Sequence, residues 1–117
     1  MNKTPLEQKK CQPCEGAGDP FNVEQAMEQL KNVEGWKLSA DGKGITRRYI
    51  SKNFMAAVNF IQKVAQVAES EDHHPDIHLT GYRTLTIDLS THAIGGLSEN
   101  DFIVAAKING LPIELKG

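Results

Sequence analysis

A proline at position 75 separates two incompatible periodicities, and between them they limit what this chain can become. Upstream, Phe54, Ala57, Val58, Ile61, Val64, Ala65 and Ala68 fall on one stripe of an amphipathic helix, with Asn53 placed to cap it. Proline disfavours helical geometry in the residue before it, so this helix must end ahead of Pro75. Downstream the period becomes two. Ile77 and Leu79 alternate with His78 and Thr80; after Gly81, Leu85, Ile87, Leu89 and Thr91 alternate with Thr84, Thr86, Asp88, Ser90 and His92. Strands with one apolar and one polar face belong to an antiparallel sheet covered on one side.

The flanking segments extend the pattern. Asn22 and Gln25 form a capping-box pair ahead of Val23, Ala26, Met27, Leu30 and Val33, a short helix that should end near Gly35. Trp36, Leu38 and Ala40 alternate, Asp41-Gly42-Lys43-Gly44 supplies turn chemistry, and Ile45 to Ile50 returns as a strand. Ser98 to Asp101 opens a last helix. The predicted order is helix, strand, strand, helix, strand, strand, helix: an α+β fold with a four-stranded antiparallel sheet and helices on one face. Residues 1–20, with Pro5, Pro13, Pro20, Gly16 and Gly18 and no apolar period, read as an extended or loosely packed arm, and residues 21–117 as a single domain. A chain beginning near Phe21 is therefore expected to fold.

Composition narrows the function. The 117 residues carry 13 Lys and Arg against 15 Asp and Glu, a net charge of −2, which is the wrong sign for a protein that works by neutralising nucleic-acid phosphates. No run approaches the roughly 20 apolar residues of a membrane-spanning helix, and the polar opening lacks the apolar stretch of a secretory signal. With two cysteines and no signal, the expected compartment is the cytoplasm. Glycine-rich nucleotide loops, zinc-protease and serine-hydrolase motifs are all missing. The final helix carries Phe102-Ile103-Val104-Ala105-Ala106, apolar over more than one stripe; it is either deeply buried between the sheet and a neighbouring helix or, the reading preferred here, faces in part a second copy in a homodimer or homotetramer.

All four histidines fall between positions 73 and 92. His73 and His74 follow Glu69, Glu71 and Asp72 where the long helix ends. His92 comes at the end of the second strand of the following hairpin, so the hairpin should return it to the His73-His74 corner. Imidazole exchanges protons near neutral pH, and two imidazoles beside a carboxylate suit general acid–base chemistry on a small molecule. By its spacing of four from Ala65, Glu69 should continue the helix's inner face, and both His73 and His92 are expected at a pocket rim. His78 reads as a surface residue. Asp101 has a structural role available as the fourth residue of a Ser98 capping box.

The combination Glu69-x3-His73-His74-Pro75-x6-Tyr82-x9-His92-x8-Asp101, with Ser90-Thr91-His92 and Gly96-Leu97-Ser98-Glu99, resembles the signature of the pterin-4a-carbinolamine dehydratases across residues 21–117. The resemblance implies removal of water from a 4a-hydroxytetrahydropterin to give quinonoid dihydropterin, within tetrahydropterin recycling. It implies that His73 and His92 exchange the protons, His74 orients the pterin, and Asp101 orients His92. Glu69 would accept from the pterin or fix a histidine, and Asp72, Ser90 and Thr91 would line the pocket through their backbone. No cofactor and no metal are implied; the partner is a pterin, with neither nucleic acid nor membrane. Two other readings remain open. One is a metal site built from His73, His74, His78 and His92; the other is a dimerisation module for a transcription factor, a role known among vertebrate relatives. Cys11 and Cys14 form one C-x-x-C pair: an ordinary reduced pair, half of a structural zinc site completed by another subunit or a histidine, or a redox pair.

Overall fold

The alternation after Gly81 becomes the centre of the sheet. In the computed structural model, which describes residues 5–11 and 19–116, strand β4 (Thr84–Leu89) buries Leu85, Ile87 and Leu89 and leaves Thr84, Thr86 and Asp88 on the other face. It pairs antiparallel with β2 (Ile45–Ile50), from Ile45↔Leu89 to Ile50↔Thr84. On its other side it pairs with β3 (Asp76–Thr80), from Asp76↔Asp88 to Thr80↔Thr84. The two-residue β1 (Lys37–Leu38) completes the order β1-β2-β4-β3. Helices α1 (Val23–Leu30), α2 (Phe54–Glu71) and α3 (Glu99–Asn109) bring the order to the expected α+β arrangement, with the helices on the apolar sheet face.

Each helix begins where its cap was expected. Asn22 Oδ1 accepts from the Gln25 N–H while Gln25 Oε1 accepts from the Asn22 N–H, and Asn53 Oδ1 accepts from the Ala56 N–H. The rotation of α2 differs from expectation. Its buried stripe is Ala57, Phe60, Val64, Ala68 and Glu71, whereas Phe54, Ala65 and Glu69 are exposed. The aromatic ring of Phe60 packs edge-on against Tyr49 of β2, with centroids 5.0 Å apart, and burying that large ring turns Ala65 and Glu69 outward. In α1 likewise, Ala26 is buried but Val23 and Met27 are not.

Past α1 the chain turns at Gly35, whose φ of +89° suits glycine. A Cβ at Gly35 would lie 2.7 Å from the Arg47 guanidinium carbon. That guanidinium donates to Asn109 Oδ1 at 2.6 Å, and Trp36 Nε1 donates to the same oxygen at 2.9 Å, so the end of α3 is pinned to the sheet.

The apolar breadth of α3 has an internal explanation. Phe102, Ile103, Val104, Ala105 and Ala106 are all buried within one chain, which corrects the expectation that some of them face a second copy. The sheet and α2 cover one side. The other is closed by the N-terminal segment, where a 3₁₀ turn (Leu6–Gln8) packs on α3 and puts Leu6 into the same apolar cluster. Phe21 adds a ring contact to Phe102, with centroids 5.9 Å apart. Residues 5–11 thus form a docked strap. Cys14 lies outside the described residues.

Candidate active site

The end of α2 sets the position of the first histidine. Asp72 adopts a left-handed conformation (φ 52°), and the His73 N–H returns to the Ala68 carbonyl at 3.1 Å. This is the closure that helices usually make with glycine at the left-handed position; aspartate tolerates that conformation better than most other residues. It turns the His73 ring inward, so His73 is only 5% exposed rather than on a rim.

Inside, His73 meets the start of α3. Its Nε2 lies 2.6 Å from Oδ1 of Asp101, a carboxylate with no exposure at all. Oδ2 of Asp101 accepts from the Thr91 hydroxyl at 2.9 Å and from the Ser98 N–H at 3.0 Å. Thr91 and Ser98 hydroxyls are 2.8 Å apart, and Ser98 Oγ accepts from the Asn100 N–H. Asp101 is therefore a helix cap and a histidine partner at once. It holds His73, not His92, which corrects the pairing implied by the resemblance. With Asp101 accepting at both oxygens, the contact fits a His73 ring that donates through Nε2.

His92 does not end a strand. Strand β4 stops at Leu89, Thr91 bridges back to Gly96, and His92 opens a 3₁₀ turn (His92–Ile94) with its side chain exposed. It lies on the wall of a cleft of about 370 Å³ with Asp88 and Ser90, opposite Ser39, Asp41 and Lys43 from the β1–β2 turn. Hydrogen bonds from the Ser39 hydroxyl and the Lys43 N–H hold the Asp41 carboxyl below its usual range. Asp101 touches His73 on one side and Thr91, the neighbour of His92, on the other.

The remaining candidates separate. His74 and Glu69 are both exposed, with His74 Nε2 2.5 Å from Glu69 Oε2. Asp72 is exposed too. His78 pairs with Asp88 at 3.1 Å on the open sheet face. Tyr82 sits in the β3–β4 turn at the opposite end of β3 from the histidines, so this motif position is not brought to the site. Among the described residues no group of three His, Cys, Asp or Glu side chains is arranged to hold a metal ion. Sequence reasoning did not find the turn residues Ser39, Asp41 and Lys43, since nothing in a polar turn shows which cleft it will face.

Comparison with known proteins now decides the family. Residues 19–111 match the family model of pterin 4 alpha carbinolamine dehydratase. The chain belongs to that family of hydro-lyases. It is 47% identical over 112 residues to the mitochondrial pterin-4-alpha-carbinolamine dehydratase 2 of Arabidopsis thaliana, covering 93% of this chain and 60% of that longer relative. A relative bearing the dehydratase name in Halorhodospira halophila is 46% identical over 106 residues, 91% of this chain and 96% of its own. The crystal structure of a transcriptional coactivator/pterin dehydratase from Brucella melitensis superposes with a TM-score of 0.72 at 31% identity, covering 78% of this chain and 96% of that one. No helix among the described residues is long and apolar enough to cross a membrane.

Proposed function

We propose that this chain dehydrates a 4a-hydroxytetrahydropterin to the quinonoid dihydropterin and water. The reaction breaks the C4a–O bond, forms the C4a=N5 bond and moves two protons: one onto the departing hydroxyl, one away from N5. Hydroxide leaves poorly, so an acid and a base must act on the same small molecule. Two imidazoles meet that need without a cofactor. In this scheme His92 protonates the hydroxyl from the cleft wall and His73 accepts the N5 proton through Nδ1. His74, steadied by Glu69, orients the pterin ring, with the backbone at Asp72, Ser90 and Thr91 completing the lining.

The observation that carries the reading is the buried Asp101, which joins the His73 segment to Thr91 beside His92 in a chain of this family. The decisive assay follows the decay of a 4a-hydroxytetrahydropterin with and without the protein. Catalysed decay is expected, with kcat falling roughly 10²–10⁴-fold in His73→Ala and in His92→Ala. Near-parental turnover in both folded variants would overturn the acid–base assignment.

A further inference from the structure

One buried charge is not used by the chemistry above. Glu71 is 8% exposed, two residues before His73 on the inward face of α2. Its Oε1 accepts the Cys11 N–H at 2.8 Å, while Lys10 and Lys107 approach Oε2 at 3.6 and 3.7 Å. The Cys11 thiol in turn lies 3.6 Å from the carbonyl oxygen of Asn100, the residue before Asp101. The strap therefore touches both backbone segments that carry the His73–Asp101 pair.

We propose that Glu71 and Cys11 are positioning residues for the acid–base centre, tying the end of α2 to the start of α3 through the strap so that His73 meets Asp101. The inference rests on the functional reading above. Leu6 is buried in the apolar cluster on α3 with Cys11 packed at its margin, and the contact to Glu71 adds a charged group to that apolar cover. A buried carboxylate carries a desolvation penalty that an apolar side chain would avoid, so its worth lies in the geometry it specifies. Burial pushes the Cys11 thiol up to about 12, with the charge of Glu71 adding to the effect, so the sulfur stays a protonated donor. The residues it links are near the pair: Glu71 precedes His73 by two positions and Asn100 adjoins Asp101. Misplacement by about 1 Å can lower turnover by up to 10²-fold.

The test compares Glu71→Ala, Glu71→Gln and Cys11→Pro in the full chain. Two quantities are read: steady-state kinetics on a 4a-hydroxytetrahydropterin, and the low-field ring N–H signal of His73 by nitrogen-edited NMR without substrate. Glu71→Ala and Cys11→Pro should each lower kcat about tenfold with KM little changed, and should weaken the His73 signal. Glu71→Gln keeps an acceptor for the Cys11 N–H and should recover most of both. Unchanged kcat and an intact His73 signal alongside a lower melting temperature would overturn the proposal, as would a Gln variant no better than Ala. Should Glu71→Ala not fold, Cys11→Pro decides alone, since it leaves Glu71 to its lysines. If the parent protein shows no dehydration, the functional reading fails, while the NMR comparison still decides whether the tether holds the pair.

Discussion

His73 and His92 look equivalent along the chain, yet they occupy opposite environments. His73 is buried against a carboxylate; His92 is exposed on a cleft wall. Replacing His73 with Ala leaves Oδ1 of Asp101 without its partner in the interior, which should destabilise the fold by about 1–3 kcal/mol besides slowing turnover. His92→Ala should slow turnover with a melting temperature close to the parent's. Thermal melts of the two variants, run beside the kinetics, distinguish these outcomes. Thr91→Val should lower stability by a similar ~1–3 kcal/mol, because it removes the hydroxyl that fills Oδ2 of Asp101. At Glu71 burial alone would raise the pKa, but the Cys11 N–H bond with Lys107 and Lys10 outweighs it and holds the carboxyl below its usual range. A depressed folded-state pKa means stability present above the ordinary value of 4.5 and lost as pH falls through the folded one. The melting-temperature gap between parent and Glu71→Gln should thus narrow on acidification below about that pH. The sequence marked His73 and Asp101 as candidates, because scarce histidines and carboxylates cluster along this stretch of chain. It did not show which carboxylate serves which histidine. That choice depends on how α3 docks, and a spacing along the chain carries no such information.

The elements were legible wherever period and caps agreed. Asn22, Asn53 and Ser98 each cap the helix expected to follow, and the alternation in β4 survives intact. Helix rotation was less legible: the stripe read from Phe54 to Ala68 left out Phe60, whose packing on Tyr49 turns the buried face toward Ala57, Phe60, Val64 and Ala68. The same kind of ambiguity misplaced Glu69. The turn that ends α2 offers a direct check on how His73 is aimed. Asp72→Gly places in the left-handed conformation the residue that accepts it most readily, and should leave stability unchanged or raise it by up to about 1 kcal/mol. Asp72→Ala should lower it by about 1 kcal/mol. Chemical denaturation of both variants measures the difference; equal stabilities would mean that the left-handed turn carries no strain.

For the whole molecule, the strap changes how the chain divides. Residues 1–20 show no period, so the part that residues 5–11 play in the core was invisible; Leu6 is one apolar residue among polar ones, and only its partner surface on α3 reveals its role. The excess of apolar residues on α3 was legible, but its cover was not. Removing residues 1–11 should uncover that face, lower the melting temperature and increase self-association at micromolar concentration, read by light scattering as mass above that of the full chain. Unchanged mass and melting temperature in the shortened chain would mean that α3 closes without the strap.

The strap's contacts also bear on the order in which the molecule is made. Lys9 pairs with Glu99 across 90 positions, and Cys11 reaches Asn100 across 89. At roughly 5–20 residues per second on the ribosome, the strap waits about 5–18 seconds before its docking surface exists. Closing such a distant contact is slow in any case, because the loop must form before the contact rewards it. Leu6 therefore stays uncovered until α3 has been made, and a strap made well before α3 is among the last segments to reach its place.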